Sequence, residues 1–198
     1  MESIIRTYQS LNSLAAAGGL VIFGGEEDRT IPLCELKETF DLQYTFYNRS
    51  LPGLCLDNAI DMYDQCVAPL APQDIYLHIG NADKASFAGN AAQFDWKYSQ
   101  LVRHIRSIDK KCNIAIISLK NSDGDSVITE INKHLEVIAK NEKCEFFDIS
   151  KIRVWNPRQT KEVMSFLYSL GFVRPLKQNR PLNEIAKILF CYESALIV

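Results

Sequence analysis

Five short, largely apolar segments that alternate with helical segments constrain the fold more than any other feature of this sequence. The predicted strands cover residues 20–24, 43–47, 74–79, 113–118 and 144–149. Apolar residues that recur every three or four positions predict helices over residues 3–17, 35–40, 55–67, 91–108, 126–140, 160–170 and 181–193. Strands and helices that alternate in this way form right-handed βαβ units around a parallel sheet. We therefore predict a three-layer α/β/α fold with a five-stranded parallel sheet.

The spacing of the five strands favours the flavodoxin-like order 2-1-3-4-5, with an N-terminal helix before the sheet and a helical C-terminal extension after it. We expect one domain over residues 1–198, with a core of about 20–150 and an extension of about 151–198. In such sheets ligands bind beyond the carboxyl ends of the strands. The loops that follow the strands are therefore expected to surround one crevice.

Charge and hydropathy narrow the classes of function. A net charge of −2 over 198 residues gives no general attraction to nucleic acid or to anionic lipid. No apolar run approaches the roughly 20 residues needed to cross a bilayer, and the first residues lack the pattern of a secretory signal. We expect a cytoplasmic protein with neither nucleic acid nor membrane as a partner.

The six cysteines are scattered along the chain, and no two of them form a Cys-x-x-Cys pair. Without a secretory signal, such cysteines are typical of reduced and mostly buried thiols. Structural zinc sites need closer groups of cysteine and histidine. We therefore predict no metal site and no cofactor.

Short motifs at three predicted strand ends carry the functional signal. Residues 20–26 read LVIFGGE, residues 48–53 read NRSLPG, and residues 75–83 read IYLHIGNAD. Over about residues 20–150, their order and spacing resemble the SGNH (GDSL) hydrolase superfamily. In that family the first strand ends in Gly-Asp-Ser, the loop after the second carries Asn and Gly, and the third ends in Gly-x-Asn-Asp.

The chain differs from this family pattern at the positions of the catalytic residues. The resemblance places Glu26 at the nucleophilic serine and Ala82 at the oxyanion-hole asparagine, while Gly53 matches the oxyanion-hole glycine. The family's catalytic histidine follows the fifth strand, whereas no histidine occurs here after His134. A carboxylate supplies no alkoxide, and the loss of a single oxyanion donor costs about 3–4 kcal/mol. We expect the usual catalytic mechanism to be absent.

The candidate ligand-binding residues are those that the motifs bring to the crevice. They are Gly25, Glu26, Gly53, Asn81, Asp83, Trp155 and Arg158. Asn81 lies one residue early for the oxyanion position and can act only if its side chain turns inward. Trp155 and Arg158 follow the fifth strand, where they can fill the vacant volume, although neither is a base near neutral pH.

Two charged groups have open interpretations. Glu26, Glu27, Asp28 and Asp83 could bind Mg²⁺ or Ca²⁺ or accept hydrogen bonds from sugar hydroxyls, but a solvated acidic loop is favoured. The basic residues between 151 and 180 could bind an anionic group, or could pair with acidic loops of the same domain.

The histidines are not predicted to replace the missing base. His78 lies inside the third predicted strand and is expected to be a core histidine with its hydrogen bonds satisfied. His104 and His134 lie on the polar faces of helices and are expected at the surface.

The leading interpretation is a catalytically degenerate SGNH-like protein that binds a small polar ligand (a sugar or an anionic group) or a protein partner at the carboxyl edge of the sheet. The alternative is an esterase or acylhydrolase with a rearranged site that uses Ser50 or Ser86, so the sequence leaves enzymatic activity open. A third interpretation is an interaction subunit. The apolar residues 186–189 and 195–198 either pack on the sheet or form a subunit contact, which leaves a homo-oligomer open.

Overall fold

The computed structural model of the protein describes residues 1–121, 124–150 and 181–191. The strands are β1 (Leu20–Gly24), β2 (Phe46–Asn48), β3 (Asp74–His78), β4 (Asn113–Ile117) and β5 (Glu145–Phe147). The helices are α1 (Glu2–Asn12), α2 (Leu33–Phe40), α3 (Ala59–Cys66), α4 (Lys84–Gly89), α5 (Ala91–Ile108), α6 (Ser126–Asn141) and α7 (Leu182–Cys191). Three short 3-10 helices cover Glu26–Thr30, Ala68–Leu70 and Asn81–Asp83.

The five strands form one parallel sheet in the order β2-β1-β3-β4-β5, which confirms the predicted fold class and strand order. The register of β1 and β3 places Gly24 opposite His78 at their carboxyl ends. Because every strand runs the same way, the loops that follow β1 and β3 leave the sheet side by side. This adjacency positions the site described below.

The central strands β1, β3 and β4 are mostly apolar because both of their faces are buried, as is usual for a parallel sheet. Alternate residues of the three central strands join residues of α1, α3, α5 and α6 in one hydrophobic core. The two long helices start at side-chain caps: Asn90 accepts from the Gln93 N–H, and Asp125 accepts from the Val127 N–H. These caps agree with the helix starts predicted from the sequence.

Several predicted elements have different limits in the structure, among them the helix predicted over 55–67, which begins at Ala59, and the strand predicted over 144–149, which ends at Phe147. The predicted helix over 3–17 ends at Asn12, whose side chain donates to the carbonyl of Cys66 and accepts from Arg49. The predicted strand over 43–47 is shifted, because β2 pairs with β1 only from Phe46 to Asn48.

The helices predicted from the sequence do not include residues 80–90, and this prediction is wrong. This segment folds into the 3-10 helix Asn81–Asp83 and then α4. Phe87 is the residue of α4 that is buried, and its ring contacts Phe94 and His134 edge-on. This single large apolar side chain fixes a helix whose other residues are small or polar.

The chain divides into two compact units. The first comprises Met1–Thr30 with Thr45–Ser150 and contains the sheet. The second comprises Ile31–Tyr44 with Lys151–Val198, and within it α2 contacts α7. Helix α7 lies within the predicted helix over 181–193. The predicted helix over 160–170 lies outside the described residues, and the single domain over 1–198 stays a prediction.

None of the helices in the described part of the chain combines the length and the apolarity that a membrane crossing requires.

Candidate functional site

A pocket of about 200 Å³ opens at the carboxyl ends of β1 and β3, and we refer to it as the β1–β3 pocket. It lies where the strand order reverses, the usual ligand position in such sheets. It is lined by Gly25, Glu26, Glu27, Gly53, Leu54, His78, Ile79, Gly80, Asn81 and Ala82. Three segments therefore contribute to the pocket lining: the turn after β1, the loop after β2 and the turn after β3.

A buried histidine–aspartate pair lies beneath the turn after β1. The Nδ1 atom of His78 is 2.8 Å from Asp28 Oδ2 and 2.9 Å from Oδ1. Both residues are almost fully buried, at 2% and 3% exposure. The prediction that Asp28 belongs to a solvated loop is therefore wrong: the 3-10 helix Glu26–Thr30 turns its carboxylate inward, onto His78.

The pair raises the pKa of His78. Burial alone lowers this pKa, because it disfavours the charged imidazolium, but the attraction and hydrogen bond of Asp28 outweigh burial. Glu27 raises the pKa further, and Lys120 lowers it. His78 thus lines the pocket with its Nδ1 atom engaged by Asp28.

Gly24 makes room for this pair. A Cβ atom at position 24 would lie 1.9 Å from Asp28 Oδ2 and 3.2 Å from the carbonyl oxygen of His78. Any side chain there would collide with the carboxylate. The absence of a side chain at Gly24 is therefore required for the carboxylate of Asp28 to reach His78.

Glu26, the residue at the position of the family's serine, faces solvent and forms an ion pair. Its side chain is 62% exposed, and its two carboxylate oxygens lie 2.7 and 2.9 Å from Arg29 Nη1, three residues further along the same 3-10 helix. The charge of Glu26 is therefore partly neutralised by its own helix.

Glu27 and Asn81 form a hydrogen bond between the two turns that line the pocket. The Asn81 amide donates to Glu27 Oε1 over 3.2 Å. The other oxygen, Oε2, lies over Gly25, 3.2 Å from where a Cβ atom would be. Asn81 thus lines the pocket, as predicted for a ligand-binding candidate, but its amide nitrogen is engaged by Glu27.

The loop after β2 is fixed from both sides. Asn48 donates to the carbonyl of Asp28 over 2.7 Å and accepts from the Ser50 N–H. The Leu51 N–H donates to the carbonyl of Gly24 over 3.0 Å. These bonds carry Gly53, with a left-handed φ of +66°, to the pocket wall.

Asp83 does not line the pocket, in contrast to the candidate role assigned from the sequence. It is 4% exposed, and its Oδ1 accepts from the Leu56 N–H over 3.0 Å. Burial raises the pKa of Asp83, and the bond from Leu56 opposes this shift. Its carboxylate anchors the loop after β2 to the turn after β3.

The structure brings together Gly25, Glu26, Gly53 and Asn81 with Ala82, all named from the sequence. Trp155 and Arg158, the remaining candidates, lie outside the described residues.

The candidates chosen from the sequence did not include Leu54, His78, Ile79 and Gly80, and Glu27 was considered only as part of an acidic loop. The position of His78 near the end of the third predicted strand was the signal that could have indicated its place in the lining. A residue at the carboxyl end of a central strand lies beside the crevice even when its side chain is buried.

The serines proposed as alternative nucleophiles lie elsewhere. Ser50 is fully buried, and its hydroxyl oxygen has no hydrogen-bond partner among the described residues. Ser86 lies on α4, and its hydroxyl donates to the carbonyl of Asp83 over 2.8 Å. Neither residue lines the pocket. Among the described lining residues, none carries a hydroxyl or a thiol.

Metal ligands do not converge in the described ranges: no three His, Cys, Asp or Glu side chains there are grouped closely enough to hold an ion. The acidic residues that the sequence places near the crevice are separated because Asp28 turns to His78 and Asp83 turns to Leu56.

Solved structures of several hydrolases share this fold. A GDSL-like lipase from Bacteroides thetaiotaomicron has a TM-score of 0.61 at 15% identity, with 98% of each chain covered. A lipase/acylhydrolase from Enterococcus faecalis has a TM-score of 0.57 at 16% identity, covering 82% of this chain and 100% of that one. A catalytic mutant of an acetylxylan esterase from Geobacillus stearothermophilus has a TM-score of 0.55 at 11% identity, covering 83% and 99%.

No protein-family model and no curated protein matches the sequence. The structural neighbours are SGNH hydrolases, so the resemblance drawn from the motifs is confirmed at the level of the fold.

Proposed function

We propose that this chain keeps the fold of an SGNH hydrolase without its catalytic residues and binds a small polar ligand in the β1–β3 pocket. The observation that carries the proposal is the composition of the lining. Glu26, Gly53 and Ala82, the positions that the motifs match to the family's serine, glycine and asparagine, line one pocket. The fold thus provides the cavity, while two of these three residues are unsuited to attack on an ester.

The electrostatics of the pocket support binding rather than acyl transfer. In ester hydrolysis, negative charge builds up on the substrate's carbonyl oxygen and needs hydrogen-bond donors around it. Here the carboxylates of Glu26 and Glu27 line the pocket, and the imidazole of His78 is engaged by Asp28. The carboxylates of Glu26 and Glu27 are hydrogen-bond acceptors. They can bind a ligand that donates hydrogen bonds, but they cannot stabilise a transition state whose oxyanion needs donors.

The ligand is a small polar molecule, with a sugar or an anionic group as the two classes to be compared. A sugar is favoured by the acidic lining of the pocket, and one structural neighbour is named for its action on acetylxylan. The basic residues that would favour an anionic group fall between 151 and 180, outside the described residues. A protein partner that binds at the carboxyl edge of the sheet is the third class of ligand in this proposal.

A thermal-shift and titration panel tests the proposal. Neutral sugars, other polyols, amines and inorganic phosphate are added to the full chain, and we expect saturable binding by at least one class. Ala82→Phe fills the pocket and should abolish that binding. Ala88→Phe, at an exposed position of α4 that does not line the pocket, is the matched control and should leave binding unchanged. Binding that survives Ala82→Phe would contradict the proposal.

The alternative is an esterase that uses Ser50 or Ser86. It has less support, because the first hydroxyl is buried and the second is bonded to the main chain of Asp83. Chromogenic esters of increasing acyl length test it directly. Saturable turnover by the wild-type chain that is lost on Ser50→Ala or Ser86→Ala would establish this alternative in place of the binding proposal.

A further inference from the structure

We infer that Glu27 is the residue that selects the ligand, and that the ligand is a neutral polyol that donates adjacent hydroxyl groups to its carboxylate. This inference rests on the proposed function and names the chemistry of the same pocket. It depends on a difference between two neighbouring glutamates that the sequence alone presents as equivalent.

Glu26 and Glu27 both line the pocket, but among the described residues only Glu26 has an ion-pair partner. Glu26 is paired with Arg29 at 2.7 Å. Within the described ranges, no lysine, arginine or histidine side chain lies within ion-pair distance of Glu27. Among the described residues, the Glu27 side chain accepts one hydrogen bond, from the neutral amide of Asn81. Glu27 is therefore the lining carboxylate that has no ion-pair partner in the described part of the chain.

The position of the Glu27 carboxylate is nevertheless defined. Oε1 is held by the Asn81 amide at 3.2 Å, and Oε2 lies against the bare main chain of Gly25. A carboxylate accepts about four hydrogen bonds in total, so most of its accepting capacity is available. The Asn81 side chain donates through its nitrogen and keeps its oxygen as a further acceptor. Together these two residues present acceptors to the pocket.

An acceptor-rich wall selects a ligand that is rich in donors. Adjacent hydroxyl groups can donate to both oxygens of one carboxylate, and such charge-assisted bonds are stronger than neutral ones. An anionic ligand would meet the negative charge of Glu27, while the imidazole of His78 is already engaged by Asp28. The acidic wall therefore disfavours phosphate and carboxylate ligands.

The apolar part of the lining distinguishes a polyol from an amine. Leu54, Ile79 and Ala82 line the same pocket as Glu27. A sugar ring or a similar polyol has C–H faces that pack on such side chains, and hydroxyls at its edge. A small ammonium ion is strongly hydrated and has no apolar face to bury. The combination of one carboxylate, one amide and an apolar surface fits the polyol.

Glu27→Gln and Glu26→Gln form a matched pair that tests the inference. The probes are D-xylose, xylobiose and myo-inositol as polyols, with ethanolamine as the amine and inorganic phosphate as the anion, each titrated calorimetrically into the full chain. We expect a polyol to bind, with Kd raised at least about tenfold by Glu27→Gln, the effect of one charge-assisted hydrogen bond. Glu26→Gln should raise Kd by a smaller factor than Glu27→Gln does, because Arg29 already engages that carboxylate.

The outcomes separate this inference from the proposed function. Equal losses in the two variants, or binding of ethanolamine or phosphate in place of every polyol, would overturn the role of Glu27 but leave a ligand-binding pocket. Absence of binding by all three classes would overturn both. Circular dichroism and melting temperature verify that Glu27→Gln is folded, as expected for a substitution of the same shape at an exposed position.

Discussion

At the scale of single residues, the pairing of His78 with Asp28 shows how a buried charge shapes this site. Both partners are nearly inaccessible to water, so each depends on the other for compensation of its charge. Removing one partner of such a pair typically costs about 3–5 kcal/mol, because the other is left buried and uncompensated. The pair therefore fixes the turn after β1, whose other side lines the pocket.

The stability provided by His78 is expected to depend on pH. Its pKa in the folded chain lies above the unfolded value of about 6.5, so its contribution is fully present below pH 6.5 and is lost as pH rises through the folded pKa. We predict that His78→Gln lowers the free energy of unfolding most at pH 5.5–6.5, and that the difference from wild type shrinks towards pH 9. Urea denaturation over this range measures it. A difference that grows with pH would show that His78 is neutral in the folded state.

Gly24→Ala should destabilise the chain by about 2–4 kcal/mol, since the added Cβ would lie 1.9 Å from Asp28 Oδ2 and force the buried pair apart. Gly89→Ala is the control, because a Cβ at that position meets no atom within 4 Å. The control should change stability by less than about 1 kcal/mol, in the stabilising direction. Equal losses of melting temperature in the two variants would contradict this account of Gly24.

At the scale of elements, the pocket depends on a bond between two loops. Asp83, at the end of the turn after β3, accepts from the Leu56 N–H in the loop after β2. Asn58 reinforces the same loop, accepting from the Cys55 N–H and donating to the carbonyl of Gly53. The loop that carries Gly53 is therefore set by side chains outside the pocket lining.

Asp83→Ala should loosen this loop. We predict a loss of about 1.5–3 kcal/mol, typical of a hydrogen bond to a buried charged acceptor, with faster hydrogen exchange of the Leu56 amide. Asp57→Ala is the control, since Asp57 is 69% exposed and pairs with Lys97 at the surface, where such pairs contribute less than about 1 kcal/mol. Unchanged exchange at Leu56 in Asp83→Ala would show that the loop is held by other contacts.

The element pattern of the sheet and of the long helices could be predicted because their periodicities are determined by burial. Strands β1, β3 and β4 are central and mostly apolar, and α5 and α6 carry long amphipathic patterns. The predictions failed where one contact decides the structure. Helix α4 depends mainly on Phe87, and β2 takes its limits from its pairing with β1. Local sequence does not specify such contacts.

At the scale of the whole molecule, the candidate site was predictable in position but not in side-chain direction. Parallel strands bring their carboxyl ends together, so residues after β1 and β3 could be assigned to one crevice from the sequence. Whether a carboxylate there points into the pocket depends on the partners it finds. Asp28 and Asp83 found partners inside the protein, whereas Glu27 remained at the pocket wall.

The proposed function requires that the β1–β3 pocket binds a ligand and that the chain contains no activated serine. Fluorophosphonates react covalently with activated serine nucleophiles, so labelling of the native chain, read by intact-protein mass spectrometry beside an active serine esterase, tests the claim most directly. We predict an unchanged mass for this chain and a complete adduct on the esterase. A single adduct that maps to Ser50, Ser86 or any other serine, and that disappears when the chain is first unfolded, would contradict the claim.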